Sequence, residues 1–147
     1  MRRFKYRFEK ILSYRGHQEK QRQREFATAL GLQQAQQEKL SNLRRGQAET
    51  QMEKEKHLVG KVEPTRLSGY YRYYLKLRHL EMAGREVLGH LSRDVDKKRE
   101  ILVEATRKKK IYEKLKERHF QRYLHDTNLA MQKETDDIGQ KIFVRNR

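Results

Sequence analysis

Apolar residues recur at helical spacing along the first third of the chain. Phe4, Phe8, Ile11 and Leu12 are separated by four, three and one residues, which places them on one face of a helix. A strict heptad path continues from there, although polar side chains hold many of its positions. Together these positions predict one helix from about residue 4 to about residue 59. The path runs through Arg15, Glu19, Arg22, Phe26, Ala29, Gln33, Gln36, Leu40, Leu43, Gln47 and Thr50.

A second stretch has a more apolar heptad seam and predicts a longer helix, from about residue 70 to about residue 143. Leu115, Phe120 and Tyr123 continue this seam with a drift, so the spacing predicts a slip of register near Tyr112. Ile138, Ile142 and Phe143 form a last apolar face. The seam before the slip consists of Tyr70, Tyr74, Leu77, Leu88, Leu91, Val95, Lys98, Leu102, Ala105, Lys109 and Tyr112.

Residues 60–69 separate the two stretches and contain the only proline of the chain. Gly60 suits the end of a helix, while Pro64 and Ser68 are alternative starts for the next one. The sequence therefore predicts an all-α fold, two long helices in an antiparallel coiled-coil hairpin that forms one domain over residues 1–147. Folding at Pro64 places Phe4 opposite about Leu124, and residues 124–147 then extend beyond any intramolecular partner.

The composition supports thin, exposed helices over a globular core. Charged residues make up 38% of the chain, the mean hydropathy is -1.18, and good helix formers dominate. The absence of cysteine excludes disulfides and a thiol nucleophile. No apolar run approaches a membrane span, and charge interrupts the N-terminus too often for a signal peptide. We expect a cytoplasmic protein.

The net charge of +16 predicts acidic partners, which include nucleic acid, anionic lipid and acidic protein surfaces. Basic runs at 97–99 and 107–110 could contact phosphates, but no module for reading bases accompanies them, so nucleic acid is not the expected partner. The amphipathic segment 2–15 could lie on lipid. Its phenylalanines are better explained as the seam end that meets Phe120 and Tyr123.

Residue patterns for catalysis or ligand binding are weak in this chain. Gly84 and Gly89 have the spacing of a phosphate loop, but His90 stands where lysine is needed. Glu86 and His90 share a helical face without the second motif of a di-metal site. Two helices also do not form a catalytic cleft. We expect no enzyme, no cofactor and no metal.

Four tyrosines follow the bend at positions 70, 71, 73 and 74. Their spacing covers most of a helix circumference, so they cannot all face a neighbouring helix. Exposed aromatic side chains suit a protein-binding hot spot. The alternative is that two of them close the seam while the others only extend their hydroxyls to solvent.

The chain resembles the FliJ family, the small coiled-coil component of the bacterial flagellar protein export apparatus. The likeness begins with the aromatic and basic segment 4–12. It continues through Lys98 to Leu102, the Lys/Glu/Leu-rich segment 109–117 and Tyr123, and ends with Asp136, Asp137 and Ile138. The order of these elements around a central bend carries the resemblance, which covers nearly the whole chain.

This resemblance implies a non-enzymatic stalk, similar to that of rotary ATPases, which inserts into the hexameric export ATPase and promotes its assembly and activity. It also implies links to the cytoplasmic domain of the export gate membrane protein and to export chaperones, with peripheral association at the cell membrane. The implied gate-binding residues are Tyr70, Tyr73, Tyr74, Leu77 and Leu43. The implied ATPase-binding residues are Phe4, Phe8, Ile138 and Ile142.

Three other functions remain open from the sequence. The first is the equivalent stalk of a virulence type III secretion system, which shares the expected shape. The second is a basic coiled-coil protein that binds nucleic acid, with strong salt dependence through residues 107–110. The third is a chaperone-like holder of unfolded chains.

Overall fold

The computed structural model describes residues 3–59 and 63–145. Within these ranges the chain consists of two helices, α1 (Glu9–His57) and the longer α2 (Pro64–Arg145), with no strand. The helices pack against each other, which confirms the predicted all-α fold with a longer second helix. The chain divides into two compact units. Unit 1 contains Met1–Gln21 and Val103–Arg147, and unit 2 contains Arg22–Leu102.

The predicted start of the first helix at residue 4 is wrong, because α1 begins at Glu9. Residues 4–6 are not helical and are followed by a turn, in which the Glu9 amide donates to the Tyr6 carbonyl at 3.3 Å. The Tyr6 hydroxyl reaches across unit 1 and donates to the Tyr112 carbonyl at 3.0 Å. The tertiary contacts of this segment therefore override its helical spacing.

Helix α2 begins at Pro64, which confirms one of the two alternative starts and lies six residues before the predicted bound at about residue 70. Proline suits the first helical position, since its fixed φ is helical and its missing amide proton is not needed there. Ser68 is not the cap, because its hydroxyl lies inside the helix and donates to the Thr65 carbonyl. The predicted stop at Gly60 lies outside the described residues. Side chains at 51–59 and 63–66 are all exposed.

Every predicted seam position of α1 from Arg15 to Thr50 is buried or half-buried, and so is every predicted position of α2 from Tyr70 to Tyr112. The structure adds two members that sequence reasoning left out, Glu81 and Gly84, which are both buried. A hydrophobicity pattern does not detect them, because one is charged and the other has no side chain.

The predicted register slip near Tyr112 is wrong. The half-buried positions continue in strict heptad order through Lys116, His119 and Tyr123 in unit 1. Lys116 directs its ammonium to Glu9 at 2.7 Å, so its aliphatic stem covers the seam while its charge is paired. His119 packs its ring against Tyr6 at a centroid distance of 5.8 Å. Tyr123 is a seam residue as predicted and Leu115 is half-buried, but the prediction chose the apolar Phe120, which is exposed, over its neighbour His119.

In each unit the two helices run antiparallel. In unit 1, Glu19 contacts Thr106 and Lys109, whereas Glu9 contacts Lys116. In unit 2 the partners are Gln33 with Ser92 and Arg44 with Glu81. Within each unit the residue numbers thus rise along one helix as they fall along the other.

Candidate functional site

The tyrosines of α2 form an aromatic surface in unit 2, which we call the tyrosine surface and define as Tyr70, Tyr71, Tyr73 and Tyr74. Tyr71 and Tyr73 are 62% and 51% exposed. Tyr70 and Tyr74 are half-buried at seam positions. The cluster is therefore divided between the seam and solvent, as four closely spaced helical positions require.

Helix α1 supports the tyrosine surface from one side. The His57 imidazole stacks on the Tyr70 ring with centroids 6.0 Å apart and an interplanar angle of 23°. A shallow groove lies alongside, lined on α1 by Thr50, Gln51 and Lys54 and on α2 by Tyr70, Tyr71 and Tyr74. The arrangement offers flat aromatic faces next to a lysine, which suits contact with another protein.

Leu77 and Leu43, the two aliphatic residues of the expected gate-binding set, lie in the seam. Leu77 is only 7% exposed, and its methyl group lies 3.8 Å from the position that a Cβ on Gly46 would take. Leu43 is half-buried on α1. Both residues are covered by the pairing of the helices, whereas Tyr71, which was outside the expected set, is the most exposed of the four tyrosines. Its exposure could not be assigned from spacing alone.

A charged cluster occupies the seam of unit 2 next to Leu77. Glu81 is 8% exposed and accepts hydrogen bonds from Arg44 Nε at 3.0 Å, Gln47 Nε2 at 3.1 Å and Arg85 Nε at 3.1 Å. The hydrogen bonds from Arg44, then those from Arg85 and Gln47, lower the pKa of the Glu81 carboxyl to about 2. Glu81 is therefore ionised throughout the physiological range.

Aromatic rings from the N-terminal segment and α2 form a second candidate surface, in unit 1. Phe4 lies 5.2 Å from Phe120 and 5.5 Å from Tyr123 between ring centroids. Phe8 lies 6.3 Å from Tyr112. These contacts confirm that Phe4 meets α2 at Phe120 and Tyr123, near the predicted pairing with residue 124, whereas Phe8 packs against Tyr112 instead. Phe4 and Phe8 are half-buried, so part of each ring stays accessible.

The last part of α2 adds apolar side chains that solvent reaches. Every described side chain from 128 to 145 is exposed, including Ile138 at 58% and Ile142 at 56%. These two residues are one helical turn apart and share a face. Residues 124–147 contain four acidic and four basic residues, so this segment is neutral within a chain of charge +16.

The basic runs of α2 are partly neutralised within their own units. In unit 2, Lys98 pairs with Asp94 at 3.0 Å. In unit 1, Lys108 pairs with Glu104, and Lys109 bridges Glu19 at 2.8 Å and Glu113 at 3.3 Å. The hydrogen bond from Lys109 lowers the pKa of Glu19. Intramolecular pairing of these cations weakens the case for a dedicated phosphate-binding face.

Among residues 3–59 and 63–145, no group of three or more histidine and acidic side chains is placed to hold a metal ion. Neither described helix contains a segment with the length and hydropathy that a membrane crossing requires.

The described residues define a helical protein whose exposed aromatic and apolar surfaces are suited to protein contacts. Residues 4–147 match the family model described as flagellar FliJ protein. The chain belongs to the FliJ family, whose members are non-enzymatic components of the flagellar protein export apparatus. Comparisons with curated proteins and with solved structures found no match.

Proposed function

We propose that this protein is the stalk and adaptor of the flagellar export machinery. In this role it inserts into the hexameric export ATPase, promotes assembly and hydrolysis, and links the ATPase to the cytoplasmic domain of the export gate. The match to the FliJ family over residues 4–147 carries the proposal. The flagellar family assignment also favours this role over the stalk of a virulence secretion system.

The ATPase-binding surface in this proposal comprises Phe4, Phe8, Ile138 and Ile142, all in unit 1. Ile138 and Ile142 provide accessible apolar contacts on a neutral segment, so an apolar socket can cover them without desolvating a strong excess of charge. Phe4 and Phe8 have a second role, because their rings hold the N-terminal segment on α2. The ATPase contacts the parts of these rings that solvent reaches.

The gate-binding surface comprises Tyr70, Tyr73 and Tyr74, together with the seam residues Leu77 and Leu43. Tyr73 has the accessible ring, and Tyr71 joins it as a contact residue because it is more exposed. Buried Leu77 and half-buried Leu43 keep the helices in place. Export chaperones are further partners, and association with the membrane occurs through the gate.

Two double variants test the two surfaces separately. Ile138→Ser with Ile142→Ser should reduce stimulation of the cognate ATPase and hexamer formation, because it removes apolar contacts. Tyr71→Ala with Tyr73→Ala should weaken binding to the cytoplasmic gate domain on the order of tenfold, as expected for aromatic hot-spot residues. Hydrolysis rate, hexamer fraction and gate affinity are measured for both variants.

Each variant is the control for the other, since both replace exposed side chains and should preserve the helical circular dichroism. The proposal fails if the unaltered protein changes neither hydrolysis nor hexamer formation. The assignment of the two surfaces to different partners fails if each variant reduces ATPase stimulation and gate binding equally while remaining helical.

A further inference from the structure

The outer face of α2 in unit 1 carries four exposed cations that make no ion pair within the described part of the chain. They lie on the side of the helix that points away from the seam positions Ala105, Lys109 and Tyr112. Intramolecular pairing with glutamates engages the neighbouring Lys108 and Lys109 but does not extend to these four. We call them the basic face, which consists of Arg107, Lys110, Lys114 and Arg118.

Helical spacing brings the members of the basic face together on one ridge. Successive cations are three or four residues apart in the sequence, so they follow one another on the same side of the helix over about 16 Å of its length. Two acids, Glu104 and Glu117, occupy outer positions of the same segment. Glu104 is neutralised by its ion pair with Lys108, so Glu117 is the remaining acid. The ridge therefore keeps an excess of positive charge.

Two aliphatic side chains lie among these cations. Ile111 is 64% exposed and Val103 is 43% exposed. Each is separated by four residues from Arg107, so both share its side of the helix. This side points away from the seam, and the pairing of the helices therefore does not account for aliphatic residues at these positions. The basic face thus combines cations with accessible apolar surface.

An anionic lipid bilayer fits this combination better than the other acidic partners that the net charge allows. Lysine and arginine can direct their charges to lipid phosphates while aliphatic side chains enter the boundary of the acyl chains. A nucleic acid would pair with the cations but would place Ile111 and Val103 against its phosphates. Aromatic residues, which together with arginine dominate protein hot spots, are absent from the outer positions between 103 and 118.

We propose that the basic face, with Ile111 and Val103, binds the surface of an anionic lipid bilayer directly. This contact is additional to the membrane association through the gate that is proposed above. It requires neither the gate nor the ATPase, so it can be measured with the full chain alone, and its failure would leave the export role untouched. The protein should bind vesicles that contain phosphatidylglycerol and should not bind vesicles of phosphatidylcholine alone.

Neutralising part of the basic face should weaken binding to vesicles that contain phosphatidylglycerol. Lys110→Gln with Lys114→Gln should lower the affinity on the order of twentyfold, since each cation near an anionic surface contributes about fivefold. The matched control is Lys39→Gln with Lys76→Gln, which removes two exposed cations of unit 2 that also make no ion pair with a described residue. The control should change the affinity little. Co-sedimentation measures binding, and circular dichroism checks that both variants stay helical.

A single tryptophan can report which face meets the lipid, because the chain contains none of its own. With Ile111→Trp, the emission should shift to shorter wavelength when vesicles with phosphatidylglycerol are added, and brominated acyl chains should quench it. Met82→Trp is the control, since Met82 is 58% exposed on α2 in unit 2. Its emission should show neither change.

Four results would overturn the proposal. The first is that the unaltered protein does not bind the anionic vesicles at physiological ionic strength. The second is that the two double variants lose affinity equally, because net charge alone would then explain binding. The third is that the tryptophan at position 111 keeps its emission while the protein is bound. The fourth is that duplex DNA displaces the protein from the vesicles and loses affinity with Lys110→Gln and Lys114→Gln, which would assign the basic face to nucleic acid.

Discussion

At the scale of single residues, Glu81 is a charged side chain at a position where a two-helix seam usually holds an apolar one. Three donors satisfy its carboxylate within unit 2. A charge buried in this way contributes specificity of pairing more reliably than stability. Its role is therefore best tested through the conditions under which the carboxylate is protonated.

Glu81 should make stability depend on pH in the acid range. Because folding lowers its pKa from 4.5 to about 2, its contribution is present above pH 4.5 and is lost as the pH falls towards 2. We expect the Tm of the unaltered protein to fall more than that of Glu81→Gln between about pH 6 and about pH 2.5. Thermal unfolding followed by circular dichroism measures this difference.

Glu86→Gln is the control for this experiment, since Glu86 is exposed on the same helix. It should follow the unaltered protein over the whole range. If the Tm of the unaltered protein and the Tm of Glu81→Gln fall by the same amount as the pH is lowered, the Glu81 cluster does not contribute to acid sensitivity.

Sequence reasoning located some of these residue contacts and missed others. It identified the pairing of Phe4 with Phe120 and Tyr123, because aromatic residues at a seam end have few other places to pack. It missed Glu81, since whether a glutamate is buried depends on a partner that is distant in sequence. It could not assign Tyr71 to solvent, because the four tyrosines differ by only one or two positions.

At the scale of elements, two of the four glycines of α2, Gly84 and Gly89, lie in opposite environments. Gly84 lies against α1 and excludes a side chain, while Gly89 is exposed. Glycine within a helix costs about 1 kcal/mol relative to alanine. The two positions should therefore respond differently to the same substitution.

Gly89→Ala should raise the free energy of unfolding by about 1 kcal/mol, through helix propensity alone. Gly84→Ala should lower it, because the added Cβ would lie 2.8 Å from Leu40 Cδ2 and must displace a buried side chain. Urea unfolding measures the change in the free energy of unfolding for each of the two variants. Stabilisation by both substitutions would mean that Leu40 moves aside without cost.

The helices themselves were largely predictable, but their starts were less so: α1 begins later than predicted, and Pro64 was one of two alternative starts for α2. Heptad spacing identifies a buried face over tens of residues, since each position repeats the same geometric condition. A helix start depends on a few local bonds. Tyr6 leaves the helix because its hydroxyl finds the Tyr112 carbonyl, and α2 starts at Pro64 because proline is tolerated there.

At the scale of the whole molecule, charge is distributed unevenly along the sequence. The chain has a net charge of +16, whereas residues 124–147 are neutral. Electrostatic attraction to an acidic partner therefore originates in the rest of the chain, while the neutral segment contributes apolar contacts. The two contributions should separate in a salt titration.

Binding to the export ATPase should weaken as salt increases, on the order of tenfold between low and high ionic strength, because screening shortens the range of attraction. Ile138→Ser with Ile142→Ser should weaken binding at every salt concentration without changing the slope. Affinity is measured by titration at several concentrations of NaCl. A binding constant that is independent of salt would exclude an electrostatic contribution from the basic residues.

The exposed side chains just after α1 have a practical consequence for experiments in cells. A fluorescent domain inserted between Leu58 and Val59 would disturb no buried contact, because these two side chains are 44% and 87% exposed. Placed there, only a few residues from His57 and its stacked partner Tyr70, it would also shield the tyrosine surface sterically. The insertion would thus yield a folded protein that can be imaged while the proposed gate-binding surface is covered. Cleavage sites on either side of the inserted domain would allow a protease to remove it and expose the surface again.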